Sequence, residues 1–431
     1  MVASSVNVPD GHTTALLREA LINHKSGNFS VALLQYRIIL RRDAGNLTAW
    51  ESLSCLLLTL ERFEDCADAC QKALAIEPES PIAKFNLASA LNRLLDAGIK
   101  KENPSEIMSA VNQLIELEDS DPDDAAWKQS HFRLLLGDFE AGWQLYESRL
   151  RLPGFIGNKE LLTIPRWDGK HFEGRTLLLH WEQGFGDTIM MLRYLEQVKS
   201  LGGKLLLFVQ EPLTDIAGTC LGPDYVFGHP DGSPAFNIQL PLLSLPLVLN
   251  TGIDTIPSQT PYISVPARVP NKARIFSGLT KSQYSKKYGL VWAGRPTHEH
   301  DSERSVPPDL LRPLEAVEGV SWFCLQREAP ETVPFPGAEP LGGLLETFAD
   351  TAYALSQLDM VVTVDTAIAH LAGAMGIPVM LLAAFRPDWR WLLGRGDSPW
   401  YPSIKIYRQT EPGDWPTVIQ RAAADLRGQG T

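Results

Sequence analysis

Residues 358–378 constrain the chain more than any other stretch. Leu358-Asp359-Met360-Val361-Val362-Thr363-Val364 is apolar and β-branched, the pattern of a strand buried on both faces. Asp365 and Thr366 fall where that strand stops, and either can cap a helix over residues 367–374. Gly376 and Pro378 end the helix and open the next apolar run at Val379. A strand feeding a helix N-terminus presents free backbone N–H groups at the positive end of a dipole. That arrangement suits an anionic group such as a diphosphate. His370 lies one turn after Thr366, so both can face the same ligand. Run on to Phe385, the stretch is long and apolar enough to test as a membrane span. Asp365, His370, two glycines and Pro378 are costly in lipid, and strand–helix–strand accounts for the residues better.

The N-terminal third carries an internal repeat. Gly27-Asn28-Phe29 and Glu61-Arg62-Phe63 open equivalent helices 34 residues apart, the tetratricopeptide period. Trp50, Leu53 and Leu57 fill the large positions of the helix between them, and Pro78 closes the second unit. A third unit starts near Pro81, with an insertion around residues 98–104. A fourth reads Trp127, Leu134, Gly137-Asp138-Phe139, Gly142 and Tyr146. Cys66 and Gly142 replace the usual small Ala. Such repeats bury their apolar faces only by stacking, and their concave surface takes an extended peptide. The array, residues 10–152, therefore binds a protein or glycan acceptor or a partner. The plainer reading is that it braces the next domain or mediates self-association. Cys66 and Cys70, four apart on one helix, have no second ligand pair and read as core packing rather than a metal site.

A Gly- and Pro-rich boundary at residues 152–169 leads into alternating strands and helices. Two Rossmann-like domains are expected, at residues 170–268 and 285–431. In the first, Trp181-Glu182-Gln183-Gly184-Phe185-Gly186-Asp187-Thr188 turns from a strand into a helix. Gly184 and Gly186 let backbone approach a bound group. Asp187 is either a helix cap or a general base at the mouth of a cleft. Residues 236–246 wall the acceptor side of that cleft or simply pack, and Tyr262-Ile263 suggest a closing edge strand. In the second domain, the loop at residues 295–307 holds Arg295, His298, His300, Asp301 and Arg304. The two histidines and Asp301 have metal-ligand spacing but read as a solvated loop. Arg304 is a fixed cation for phosphate or a surface ion-pair partner. Asp388-Trp389-Arg390-Trp391 and Ser398-Pro399-Trp400-Tyr401-Pro402 are aromatic loops that stack on a base, wall a sugar, or pack against the last helix.

A net charge of −12 and a pI near 5.3 argue against nucleic acid as a partner. Five cysteines without a framework suit a reducing compartment. Residues 1–20 lack a basic segment followed by an apolar core. A cytoplasmic protein with no signal peptide and no transmembrane segment is the expectation.

Taken with the two α/β halves, the Gly-rich turn bearing Asp187, Arg304-Ser305, the string Val364-Asp365-Thr366-Ala367-Ile368-Ala369-His370-Leu371 and the two aromatic loops resemble GT-B glycosyltransferases of the ADP-heptose:lipopolysaccharide heptosyltransferase family (family 9). Repeats followed by such a region also resemble, by architecture, the protein O-linked N-acetylglucosamine transferases. The resemblance implies that Asp187 is the base. It implies that Asp365, Thr366 and His370 contact the sugar-nucleotide diphosphate, and that Arg304, with Arg295 second, binds phosphate. Two features depart from the family: its turn commonly lacks the Glu182-Gln183 pair, and its ordinary members carry no repeats.

The expected function is metal-independent, inverting transfer of a sugar from a nucleotide-diphosphate donor to a hydroxyl, with no cofactor beyond that substrate. Asp119-Ser120-Asp121 and Asp121-Pro122-Asp123 fall in the repeats and not after a core strand, so they are read as loop residues rather than a metal motif. The alternatives are a tetratricopeptide interaction protein whose GT-B module binds a nucleotide without turnover, and a two-Rossmann epimerase.

Overall fold

A computed structural model of the chain describes residues 11–118, 121–231, 233–280, 284–297, 301–327 and 331–428. It divides into two compact units, Met1–Gln129 and Ser130–Thr431.

The first unit is a stack of helices: α1 (Gly11–Lys25), α2 (Phe29–Arg42), α3 (Leu47–Thr59), α4 (Phe63–Ile76), α5 (Pro81–Lys100) and α6 (Pro104–Leu117). The period read from sequence is visible in the caps. The side chains of Asn46, Ser80 and Asn103 accept from the first-turn amides of α3, α5 and α6, and Pro81 and Pro104 stand in the opening turns. The core runs through Ala20, Tyr36, Leu53, Leu57, Cys66, Cys70, Leu87 and Leu91. Cys66 and Cys70 are fully buried, and the Cys66 thiol donates to the Ser54 carbonyl. The insertion at residues 98–104 lengthens α5 to 20 residues and supplies the next cap.

The boundary between the units falls inside α7 (Pro122–Leu135), so α8 (Phe139–Tyr146) belongs to the second unit. Phe139, Trp143 and Tyr146 of α8 are buried with Trp389 and Trp400, and the Trp143 indole donates to the Thr251 carbonyl at 3.1 Å. The last helix of the repeat series is thus core to the α/β body.

That body holds two parallel sheets. The first has β1 (Thr176–His180), β2 (Lys204–Phe208), β3 (Tyr225–Phe227) and β4 (Ile238–Pro241), in the order β3-β2-β1-β4. The second has β5 (Lys286–Val291), β6 (Val320–Cys324), β7 (Ala338–Pro340), β8 (Met360–Val364), β9 (Val379–Ala383) and β10 (Ile404–Arg408). Its order, β10-β9-β8-β5-β6-β7, is the doubly wound Rossmann order, with its topological switch between β5 and β8. The helix Trp415–Gly428 closes one face, burying Val418, Ile419, Ala422 and Leu426. The chain is therefore a tetratricopeptide-type helical array followed by two Rossmann-like α/β layers of GT-B type.

The short strands β3 and β7 have no counterpart in the sequence reading. Tyr262 and Ile263 form no strand. They lie between Pro261 and Pro266, which lack the N–H a ladder needs. Their own amides both turn to the Ala374 carbonyl, and the Tyr262 hydroxyl donates to the Ile189 carbonyl at 3.1 Å.

Candidate active site

In a doubly wound sheet, ligands bind outside the carboxyl ends of the strands at the switch point. Here that place is where β5 and β8 end, and the sequence puts Asp365 and Thr366 there. Thr366 is the N-cap of the helix Ala367–Ala374 by backbone geometry, but its hydroxyl caps nothing; it lies 3.3 Å from the Thr363 hydroxyl. The first bond back along the helix is from Ala369 N–H to the Thr366 carbonyl, which leaves the amides of Ala367 and Ile368 without intrahelical partners.

Arg304 closes the β5 side. It sits on a four-residue helical turn, Asp301–Arg304, and donates to the Asp301 carboxylate and to the Asp365 carbonyl, each at 3.2 Å. Gly294 permits this, because a Cβ there would collide with the Arg304 Nη2. Arg295 is exposed on the same loop.

His370 is buried one turn into the helix. Its Nδ1 lies 2.9 Å from the Tyr401 hydroxyl, its ring stacks on Trp391 at 5.2 Å, and its Nε2 lies 4.0 Å from Asp365 Oδ1. Burial drives its pKa down to about 3, so the ring is neutral at physiological pH. The Asp365 carboxyl is pushed up to about 6, first by burial and then by the neighbouring Asp388 carboxylate.

The first layer meets these residues directly. After β1 the chain turns through Gln183, whose φ of +61° lies in the left-handed region, into α9 (Phe185–Met191). Gly186 touches the His370 ring: a Cβ built on Gly186 would stand 2.8 Å from His370 Cδ2. Gly184 starts α9, and its amide donates to Asp187 Oδ2 at 2.7 Å. The other carboxylate oxygen of Asp187 accepts from Arg390 Nη2 of the second layer. Arg390 also donates to Asp388 at 2.7 Å and lies 4.1 Å over the Trp389 ring. Burial raises the Asp187 carboxyl against the opposing pull of Arg390 and the Gly184 amide.

The Gly-rich turn is anchored from the repeat side. Arg149 grips Glu182 with two bonds, at 2.9 and 2.6 Å, and also reaches the Tyr146 carbonyl, Glu147 and Ser244. Both Arg149 and Glu182 are buried. The Glu182 that departs from the family pattern is thus the partner of an arginine that follows the repeats.

The structure brings Gly184, Gly186, Asp187, Arg304, Asp365, Thr366 and His370 around one seam, and Arg295 is exposed on the adjoining loop. His298 and His300 lie outside the described residues, and Asp301 is engaged with Arg304 and the Ser305 hydroxyl. Asp119 and Ser120 also lie outside them; Asp121 accepts from the Asp123 amide. Asp388 and Arg390 were missed as charges because the tryptophans around them drew an aromatic reading. The signal was an Asp-x-Arg set between two tryptophans at the end of a Rossmann strand. Two surface cavities, of about 360 and 430 Å³, are lined by other residues, the first by Leu135, Ile253, Arg395 and Asp397 among others and the second by Arg274, Gly278 and Leu344 among others.

No family model matches the chain. It is 26% identical over 435 residues to Protein FlbA of Caulobacter vibrioides, an alignment covering 87% of this chain and 72% of that protein. Among solved structures, a glycosyl transferase family 9 protein from Veillonella parvula aligns with 61% of this chain and 100% of its own, at 9% identity and a TM-score of 0.44. The glycosyltransferase TibC from enterotoxigenic E. coli aligns with 60% of this chain and 78% of its own, at 16% identity and a TM-score of 0.38. Among the described residues, no helix is long and apolar enough to cross a membrane.

Proposed function

We propose that the chain is a glycosyltransferase that moves a sugar from a nucleotide-diphosphate donor to a hydroxyl acceptor. The observation that carries the reading is the convergence, across the seam of two Rossmann-like layers, of Asp187 from one side with Asp365, His370, Arg304 and Arg390 from the other.

In this reading Asp187 accepts the proton of the acceptor hydroxyl as its oxygen attacks the anomeric carbon. The bond from that carbon to the diphosphate oxygen breaks, and the diphosphate leaves with the electron pair. The burial that raises the Asp187 carboxyl makes it a stronger base than an exposed carboxylate. Arg304, Arg390 and the free amides of Ala367 and Ile368 supply positive charge where the leaving group gathers negative charge. In this reading the two arginines take the place of a divalent cation, and a single displacement from the face opposite the diphosphate would invert the anomeric centre. The repeats would present the acceptor or a partner.

The test is a transfer assay with a panel of nucleotide-sugars and candidate acceptors, with and without excess chelator. Product that survives chelation and disappears in Asp187→Asn supports the reading. Nucleotide binding without transfer by any donor would move the chain to the interaction-protein class. Isomerised nucleotide-sugar without acceptor would make it an epimerase.

A further inference from the structure

We propose that Arg390 is a latch on Asp187 which the donor's diphosphate releases. The inference rests on the transferase reading above and concerns how the base at the seam becomes competent.

Both oxygens of the Asp187 carboxylate are already hydrogen-bonded, and one of the two partners is a cation. Oδ2 is held by the Gly184 amide and Oδ1 by Arg390 Nη2. The Asp187 side chain is 16% exposed and that of Arg390 9%, so water does little to weaken the pair. The guanidinium favours the charged carboxylate and so makes Asp187 a weaker base. One of its two bonds is made to a fixed backbone amide, and the other to a side-chain tip.

The tip is built to pivot. Nη1 is bonded to Asp388 and the guanidinium plane lies on Trp389, while the buried Nε–H has no partner. Trp389 is itself wedged against Trp143 and Tyr146 of α8, at 5.2 and 5.8 Å between ring centres. The loop is therefore fixed, and only Nη2 needs to leave Asp187 for another acceptor. A diphosphate is such an acceptor: it carries more charge than one carboxylate and takes a guanidinium fork by two oxygens. Loss of Arg390 from Asp187 then strengthens the base only when a donor is present, which couples donor binding to activation of the acceptor hydroxyl.

A latch competes with the ligand for one arginine, and this competition is measurable without turnover. The full chain is titrated calorimetrically with nucleoside diphosphates as wild type, Asp187→Asn, Arg390→Gln and the double variant, each checked by circular dichroism. Asn cannot hold the arginine as a carboxylate does, so Asp187→Asn should tighten the nucleoside diphosphate about fivefold to tenfold. Arg390→Gln should weaken it by about tenfold or more. In the Arg390→Gln background, Asp187→Asn should change affinity by less than about twofold.

Equal tightening by Asp187→Asn in both backgrounds shows only the loss of a negative charge and overturns the latch. Unchanged or weaker binding by Asp187→Asn overturns it too. Either result leaves the transferase reading standing. Failure of both wild type and Asp187→Asn to bind any nucleoside diphosphate overturns latch and reading together. If Arg390→Gln does not fold, Arg390→Lys replaces it. An ammonium cannot fork between Asp187 and Asp388, so the gain from Asp187→Asn must shrink there, and an undiminished gain refutes the latch.

Discussion

Gly186 and His370 touch across the seam between the two α/β layers, with 2.8 Å between a Cβ built on Gly186 and His370 Cδ2. The second glycine of the turn therefore serves packing between two helices as well as the opening of α9. The His370 ring has no room to retreat, being stacked on Trp391 and bonded to the Tyr401 hydroxyl.

Gly186→Ala should accordingly cost about 1–3 kcal/mol of stability, the range for overpacking a filled site. Gly184→Ala should cost far less. Gly184 has φ −86° and ψ 173°, open to any residue, and its Cβ would meet only the Asp187 carboxylate at 3.0 Å. Urea denaturation of the two variants separates these outcomes, and equal losses would remove the packing role from Gly186.

Arg149→Met leaves Glu182 as a buried, unpaired carboxylate. The expected loss is about 3–5 kcal/mol, with recovery of much of it in Arg149→Met/Glu182→Leu. The same contacts set where the repeats can be removed. A chain beginning at Pro122 retains α7, α8 and Arg149 and should fold. One beginning at residue 153 exposes Trp389 and Trp400, loses the partner of Glu182, and should aggregate. Expression trials with circular dichroism decide this, and a well-folded chain from residue 153 would contradict the role given to α8.

The seam was half legible in the sequence. Its second-layer side is local: the β-branched run, Asp365, Thr366 and His370 lie within one strand–helix junction, where periodicity and capping rules apply. The repeats were legible for the same reason, since a period is a local property. Arg390 was not, because its partner Asp187 lies 203 residues away and no pattern in either segment names the other. Glu182 stood out as a departure from a family pattern, but its meaning depended on Arg149, 33 residues earlier and beyond the linker. Charges that pair across a topological distance look, in sequence, like ordinary loop polarity.

Acid should destabilise the protein through its buried histidines. His370 is held to about 3 and His180 to about 4, both by burial, against 6.5 for the free side chain. Below pH 6.5 the unfolded chain binds two protons there that the folded chain does not, so stability falls with falling pH, by about 1.4 kcal/mol per pH unit for each. Asp365, raised to about 6, works in the opposite sense between about pH 6 and 4, where the folded chain holds the extra proton. With Asp365 opposing the two histidines, the net loss should be about 1.4 kcal/mol per pH unit between about pH 6 and 5, and shallower near 6.5, where the unfolded histidines are only half charged. His370→Gln should remove most of that slope in thermal melts taken from pH 7.5 to 5, because Asp365 nearly cancels the remaining His180, and an unchanged slope would show that His370 is not held neutral.

Arg193 should hold the two layers together. From the helical stretch after α9 its guanidinium donates to the Trp400 carbonyl, the Pro257 carbonyl at 3.2 Å and the Tyr262 hydroxyl at 3.2 Å, and lies 4.4 Å over the Tyr401 ring. Tyr401 is the residue that fixes His370 Nδ1, so the same arginine orients the His370 side of the seam. Arg193→Lys keeps the charge but loses the planar fork and most of these bonds. About 3 kcal/mol of stability should go with them, at the usual worth of hydrogen bonds from a charged donor. Because the bond to Trp400 and the contact with the Tyr401 ring span the layers, unfolding should also lose cooperativity. Differential scanning calorimetry should show one transition for wild type and a split or broadened one for Arg193→Lys. A single sharp transition at an unshifted temperature would mean that the packing of Gly186 on His370 holds the layers without it.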